Sequence, residues 1–172
     1  IGYLLKEKKT YFVIYLLLSV SFHISSLLFI FSILLAVFVK NINYLIILFL
    51  ISIVISFYGL GFNTLAIYSG YGEVLDKANE LTELFDYGVG FKLSFVLFNS
   101  FFLFCFLFKR KKSVIDKSDE MLLKLYLINS SIFFLYFYFP YSDRVGMLSW
   151  IFLIPLIYNL FLKHQSNLIK TV

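Results

Sequence analysis

FKLSFVLFNSFFLFCFLFKRKK, residues 91–112, is the stretch on which the reading of the fold turns. Residues 91–108 are almost wholly apolar, and Lys109, Arg110, Lys111 and Lys112 follow without a break. A helix rises about 1.5 Å per residue, so roughly 20 apolar residues cross a hydrocarbon core of about 30 Å. The run is long enough for one crossing, and the basic cluster behind it reads as a topological anchor on the cytoplasmic side. The rest of the chain agrees. Of 172 residues, 61% are hydrophobic, including 23 Phe and 13 Tyr, and 15% are charged. The mean hydropathy is +0.91. Soluble domains hold about 45–50% apolar and about 25% charged residues. A soluble core of this length could not bury so many large apolar side chains, so the bilayer is the expected solvent and the fold class is an all-α polytopic transmembrane bundle.

Working outward, the apolar runs are 11–39, 42–58, 91–108, 121–139 and 145–162. The last four each fit one span. The first is too long for one ordinary span and too short for two. Basic residues set the orientation: 109–112, Lys40, Lys163, His164 and Lys170 belong inside, which puts 59–90 and 140–144 outside. Lys6, Lys8 and Lys9 prefer the inside too. If both ends of 11–39 face the cytoplasm, that run is a re-entrant or broken hairpin turning near Ser21, His23, Ser25 and Ser26. One tilted helix is the competing reading. No repeat or linker divides the chain, so 1–172 is expected to be a single integral-membrane domain. It opens on Ile1 without a signal-peptide arrangement and is expected to be the C-terminal part of a longer protein.

Segment 59–90 begins with turn-forming glycines. Within 73–87, Val74, Leu75, Ala78, Leu81, Leu84 and Phe85 recur at helical spacing, while Glu73, Asp76, Asn79, Glu80, Glu83 and Asp86 take most other positions. That pattern predicts an outer amphipathic helix. Its acidic face would not be drawn to anionic headgroups, so packing over the protein is expected.

Function classes narrow by what is missing and what is misplaced. Cys105 is the single cysteine, which leaves no disulfide framework and no thiol metal cluster. The net charge of +5 comes largely from topological anchors and does not call for nucleic acid. There is no phosphate loop, zinc-protease motif or nucleophile elbow, and neither a metal nor a cofactor is expected. Arg144 is the first candidate residue. It lies with Asp143 in the short gap FPYSDR, residues 139–144, where Pro140 and Ser142 favour a turn. It can be an interfacial arginine paired with Asp143. It can equally be a fixed cation pointing into the bundle, suited to phosphate or pyrophosphate through its planar fork of donors, with Tyr141 beside it. His23 is either a hydrogen-bonded structural residue or a proton acceptor. Glu73, Asp76 and Glu80 share one helical face and could position a sugar hydroxyl, or simply be solvated. Pro155 is expected to kink the last span.

Two stretches together resemble a known family. YLLLSVSFHISSLLFIFSILL, residues 15–35, is similar to the pattern of a short apolar helix, then Phe-His-x-Ser-Ser/Ala, then an aliphatic span. YLINSSIFFLYFYFPYSDRVGMLSWIFLIPLIYNL, residues 126–160, resembles the late segment in which an Arg opens a span ending in aliphatics and Pro. Their order resembles the C-terminal half of the EpsG-like, Wzy-type bacterial polysaccharide (O-antigen) polymerases. The resemblance implies a multi-pass glycosyltransferase of the bacterial cytoplasmic (inner) membrane. It would join lipid-linked repeat units of an exopolysaccharide or other cell-envelope glycan, using an undecaprenyl-pyrophosphate-linked donor on the outer face. It implies polyprenyl-pyrophosphate-linked oligosaccharide as the partner, beside the bilayer and other polysaccharide-assembly proteins, and no nucleic acid. It puts His23 and Arg144 at motif positions; taken with the reading of the residues above, these two are the catalytic candidates, and Asp143, Tyr141, Glu73 and Glu80 are the substrate-binding candidates. The alternative is a non-enzymatic membrane protein: a flippase or transporter component, or a structural subunit of a membrane complex.

The orientation is directly testable. In a Cys105-free background, a cysteine at position 113 should resist an impermeant thiol reagent added from outside, and labelling there would reverse the topology.

Overall fold

The structure is a computed structural model that describes residues 26–73, 76–77, 80, 89–112, 116–140 and 142–159. The expected turn near His23 and most of the amphipathic segment 73–87 lie outside the described residues. Those described form helices and turns without a strand: α1 (Ser26–Phe38), α2 (Ile42–Phe57), α3 (Phe62–Ala66), a π-helical turn (Ile67–Tyr71), α4 (Leu93–Lys112), α5 (Lys117–Leu135), α6 (Ser142–Trp150) and α7 (Leu153–Ile157).

The organising element is α5. Met121, Leu123, Leu125, Tyr126, Leu127, Ile128, Phe133 and Phe134 are all buried, and so are Asn129, Ser130 and Ser131. No single apolar stripe could bury this set, because they surround the helix; a helix apolar on all sides belongs at the centre of a bundle. α5 packs against α1, α2, α6 and α7, and it meets α4 through Tyr126, whose ring stands edge-on to Phe106.

Polar side chains register these contacts. The Tyr126 hydroxyl donates to the Asn99 carbonyl at 2.8 Å, and the Ser130 hydroxyl reaches Asn99 Oδ1 at 3.2 Å. The Ser32 hydroxyl lies 2.8 Å from the Leu28 carbonyl and 3.1 Å from Asn129 Oδ1, so one proton is shared between α1 and α5. Asn159 Nδ2 donates to Asp119 Oδ1 at 2.7 Å, fastening the chain just beyond α7 to the start of α5. Each such bond between membrane helices is worth about 0.6 kcal/mol on average. They fix register more than they add stability.

The outward faces are apolar. Phe101, Phe104 and Phe108 on α4 and Tyr44, Ile47 and Val54 on α2 are exposed. An apolar exterior of this extent marks contact with lipid or another protein. By length and composition, one helix among the described residues can cross a membrane, Leu93–Arg110. Ile42–Phe57 and Phe62–Tyr71 meet that test together but are bent by 68°. The bend has a local cause. α2 ends in a Schellman motif: Gly59 has φ 72°, its N–H reaches Ser56 O at 3.0 Å, and Leu60 N–H reaches Ile55 O at 3.0 Å. Gly61 then passes so close to the last turn of α5 that a Cβ would run into the Leu135 carbonyl oxygen.

α5 differs from a simple span. Its first turns carry Lys117, Asp119, Glu120 and Lys124, and the helix stops at Leu135. The uncharged part, 125–135, is therefore roughly 16 Å long, short of a full hydrocarbon core. The last apolar run is also broken. Ile151 and Phe152 form a turn between α6 and α7, and the break lies at the fourth residue before Pro155. Proline lacks the N–H that would bond the Ile151 carbonyl, and its ring crowds that carbonyl.

α6 lies close on α5 because its inner face is small. Ser142, Gly146 and Ser149 are buried, and a Cβ on Gly146 would stand 2.9–3.1 Å from three atoms of the Phe133 ring. Small residues at this spacing let membrane helices approach closely.

Two substitutions should separate packing from hydrogen bonding. Gly146→Val should cost about 1–3 kcal/mol by overpacking against Phe133, read as a lower denaturation midpoint in detergent. Tyr126→Phe, which removes one bond and leaves the ring in place, should cost about 1 kcal/mol or less. A larger loss for Tyr126→Phe than for Gly146→Val would reverse that ranking.

Candidate functional site

The end of the bundle opposite the basic cluster gathers three chain turns. The turn after α2 carries Gly59 and Gly61, the approach to α4 carries Gly90, Phe91 and Lys92, and the turn after α5 carries residues 136–140. Gly90 N–H donates to the Phe137 carbonyl at 2.9 Å, and Phe139 N–H to the Tyr136 carbonyl at 2.8 Å. Aromatic rings fill the space between. Phe91 stands edge-on to Phe57 and Phe137, with centroids 5.4 and 5.9 Å away, and Phe62 lies 4.8 Å from Tyr136. These contacts hold the turn from which α6 starts.

α6 begins at Ser142, so the adjacent charges Asp143 and Arg144 occupy its first turn. The two are suited to it unequally. A carboxylate there interacts favourably with the positive end of the helix dipole, whereas a cation is placed against it, by about 0.3–1 kcal/mol. Asp143 is half-buried and Arg144 is exposed. The inward orientation expected for Arg144 is thus not the one found. Ser142, Gly146 and Ser149 take the face toward α5, which turns Arg144 to the outside together with Met147. Further along, Ile151, Ile154 and Tyr158 are also exposed, at 61%, 75% and 58%. The cation therefore stands at the head of an apolar stripe.

Of the other candidates, His23 and Tyr141 lie outside the described residues. Glu73 and Glu80 are exposed and form no ion pair with a described residue. The carboxylates Glu73 and Glu80 sit on the segment after the π-helical turn, while Asp143 and Arg144 are adjacent in sequence on the first turn of α6. Among the described residues no group of three His, Cys, Asp or Glu side chains is placed to hold a metal ion.

Two features of this region escape a reading by residue type. Lys92 Nζ lies 5.7 Å from the centroid of the Phe95 ring, which adds a second cation to this end of the bundle. The Trp150 indole is wedged among Phe95, Phe98 and Phe133, with centroids 5.5–5.8 Å apart. Its buried N–H has no hydrogen-bond partner among the described residues. The spacing of Ser142, Gly146 and Ser149 is a legible signal for the inner face of α6, and hence for Arg144 facing out.

No curated protein and no solved structure matches this chain. The model of the EpsG family matches it over residues 1–172. That family is tied to polysaccharide biosynthesis at membranes, which agrees with the apolar helix Leu93–Arg110 and the apolar exterior. The chain, matched from end to end, belongs to the EpsG family.

Proposed function

We propose that the chain is the part of a polysaccharide polymerase that holds the lipid-linked donor at the outer face of the bacterial cytoplasmic membrane, in a multi-pass bundle. The observation that carries the reading is Arg144. It occupies the first turn of α6 against the preference of the helix dipole, so helix stability does not account for a cation there. Below it runs the exposed stripe of Met147, Ile151 and Ile154. A cation at the head of an apolar track matches a pyrophosphate on a long prenyl tail, with the phosphate at the surface and the tail alongside α6 and α7.

In the reaction, a sugar hydroxyl of the acceptor repeat unit forms a bond to the anomeric carbon of the donor glycan. The bond from that carbon to the pyrophosphate oxygen breaks, and prenyl pyrophosphate leaves with the electron pair. Arg144 stabilises the charge developing on that leaving group through two parallel N–H bonds, and Asp143 steadies the guanidinium. His23 accepts the hydroxyl proton. Tyr141, Glu73 and Glu80 bind the sugars from the outer side. The product is a longer saccharide on the acceptor lipid, and other polysaccharide-assembly proteins supply and export these chains.

Because Arg144 is exposed, its replacement should change stability by no more than about 0.5 kcal/mol, so a loss of product reads on chemistry. Arg144→Ala should lower polymerisation on the order of 100-fold, about 3 kcal/mol. Arg144→Lys should fall between, since an ammonium offers charge without the fork. The measurement is polymer length in cells, with the amount of protein in the membrane followed in parallel. Full-length polymer from Arg144→Ala at normal protein level would leave Arg144 as an interfacial anchor only.

A further inference from the structure

The opposite end of the bundle holds a cleft that the polymerase reading does not use. Its volume is about 460 Å³ and it is lined by Asn43, Ile46, Phe104, Leu107, Phe108 and Arg110. That size lies within the range of about 300–1,000 Å³ typical of ligand pockets. The lining is ordered along the helices. Asn43 is the second residue of α2 and Arg110 lies two residues before the end of α4, so both polar groups sit at the mouth. Ile46, Phe104 and Leu107 lie about one to two turns deeper, among side chains that face the apolar exterior. The cleft is polar and cationic at the helix ends and apolar toward mid-membrane.

We propose that this cleft binds an anionic phospholipid of the cytoplasmic leaflet, with its phosphate against Arg110 and Asn43 and an acyl chain on Ile46, Phe104 and Leu107. Three observations commit the site to that occupant. Arg110 belongs to the basic run 109–112, which the positive-inside rule puts at the cytoplasmic surface, where anionic lipids collect. Of the three carboxylates that follow along the chain, two are engaged elsewhere, Asp119 by the amide of Asn159 and Glu120 by Lys124 Nζ at 3.3 Å, and Asp116 stands exposed at the start of α5. The rows beside the cleft, Tyr44 and Ile47 on α2 and Phe101 on α4, are exposed and apolar, so an occupant with hydrocarbon chains meets a matching wall on both sides. A water-soluble phosphate would match the mouth and leave that wall bare. The inference does not rest on the polymerase reading, because Arg144 lies at the far end of α5.

Native mass spectrometry tests it, on the full chain purified from nanodiscs of equal phosphatidylglycerol and phosphatidylcholine, with the ratio of retained lipids as readout. The unaltered protein should retain phosphatidylglycerol preferentially. Arg110→Gln should lower that preference about fivefold, the ratio that about 1 kcal/mol per basic residue at an anionic surface corresponds to. Asn43→Trp, which keeps every charge and closes the mouth from an exposed position, should lower retention of phosphatidylglycerol as well. Lys92→Gln removes the same charge at the other end and should leave the ratio unchanged. Equal retention of the two lipids by the unaltered protein overturns the proposal. So does an unchanged ratio in Arg110→Gln, or an equal fall in Lys92→Gln, which would assign the preference to overall charge. Elution as a single folded species in detergent accompanies each variant, and both Arg110 and Asn43 are exposed, so neither replacement disturbs the core.

Discussion

Everything described in this bundle depends on the burial of α5. A helix enclosed on nearly all sides must find partners for its polar groups inside the protein, because hydrocarbon offers none. Asn129 accepts from Ser32, Tyr126 donates to Asn99, and Asp119 accepts from Asn159. The three bonds reach three different elements, so sliding any one along α5 would leave an unpaired polar group behind. Such a group costs more than a made bond contributes. The polar residues of α5 thereby specify the arrangement that its apolar residues merely favour.

From that constraint follows the placement of α6. Phe133 presents its ring to α6, and Gly146, Ser142 and Ser149 are the residues small enough to lie against it. Once those three face inward, helical geometry sends Arg144 the other way. The chain puts a cation in the first turn of a short helix and turns it out of the core, above apolar side chains. The two ends of the bundle then differ in character. One has glycine turns, packed aromatic rings and Arg144. The other has the basic run 109–112, the Asp119–Asn159 bond and the amphipathic cleft between α2 and α4. On the proposed reading, the first end serves a lipid-linked substrate and the second an anionic leaflet.

Membership of the EpsG family agrees with the motifs at 15–35 and 126–160, and the absence of strands among the described residues agrees with an all-α class. The site was legible unevenly. That Arg144 opens a helix beyond a turn could be read from Pro140, Ser142 and the apolar run behind them. Its outward direction could not be read from charge, since an arginine at a membrane surface is compatible with either side. Only the small-residue spacing carried that information, and its meaning depends on knowing that Phe133 lies opposite. Lys92 is illegible for a similar reason: alone before an apolar run it looks like an ordinary flank, and the ring of Phe95 near it becomes visible only in the fold.

By itself the sequence determined the helical class and an apolar setting, and it supplies the basic cluster expected to anchor the chain. Apolar runs of bilayer length, a charged fraction well below that of soluble domains and the cluster at 109–112 leave a helical membrane protein as the reading, because backbone groups in hydrocarbon must bond within their own helix. It also placed the breaks, since proline and glycine act locally: Pro155 removes one bond, and Gly59 takes a left-handed φ that ends α2. The tertiary structure decided what is central and what is outside. The run at 121–139 reads like any other span, yet its helix stops at Leu135 and is surrounded, while the equally apolar α4 presents its phenylalanines outward. Hydropathy cannot separate those fates, because a lipid tail and a neighbouring helix are equally apolar surroundings; the difference lies in the few interhelical hydrogen bonds and close approaches, which pair residues as far apart in the chain as Ser32 and Asn129.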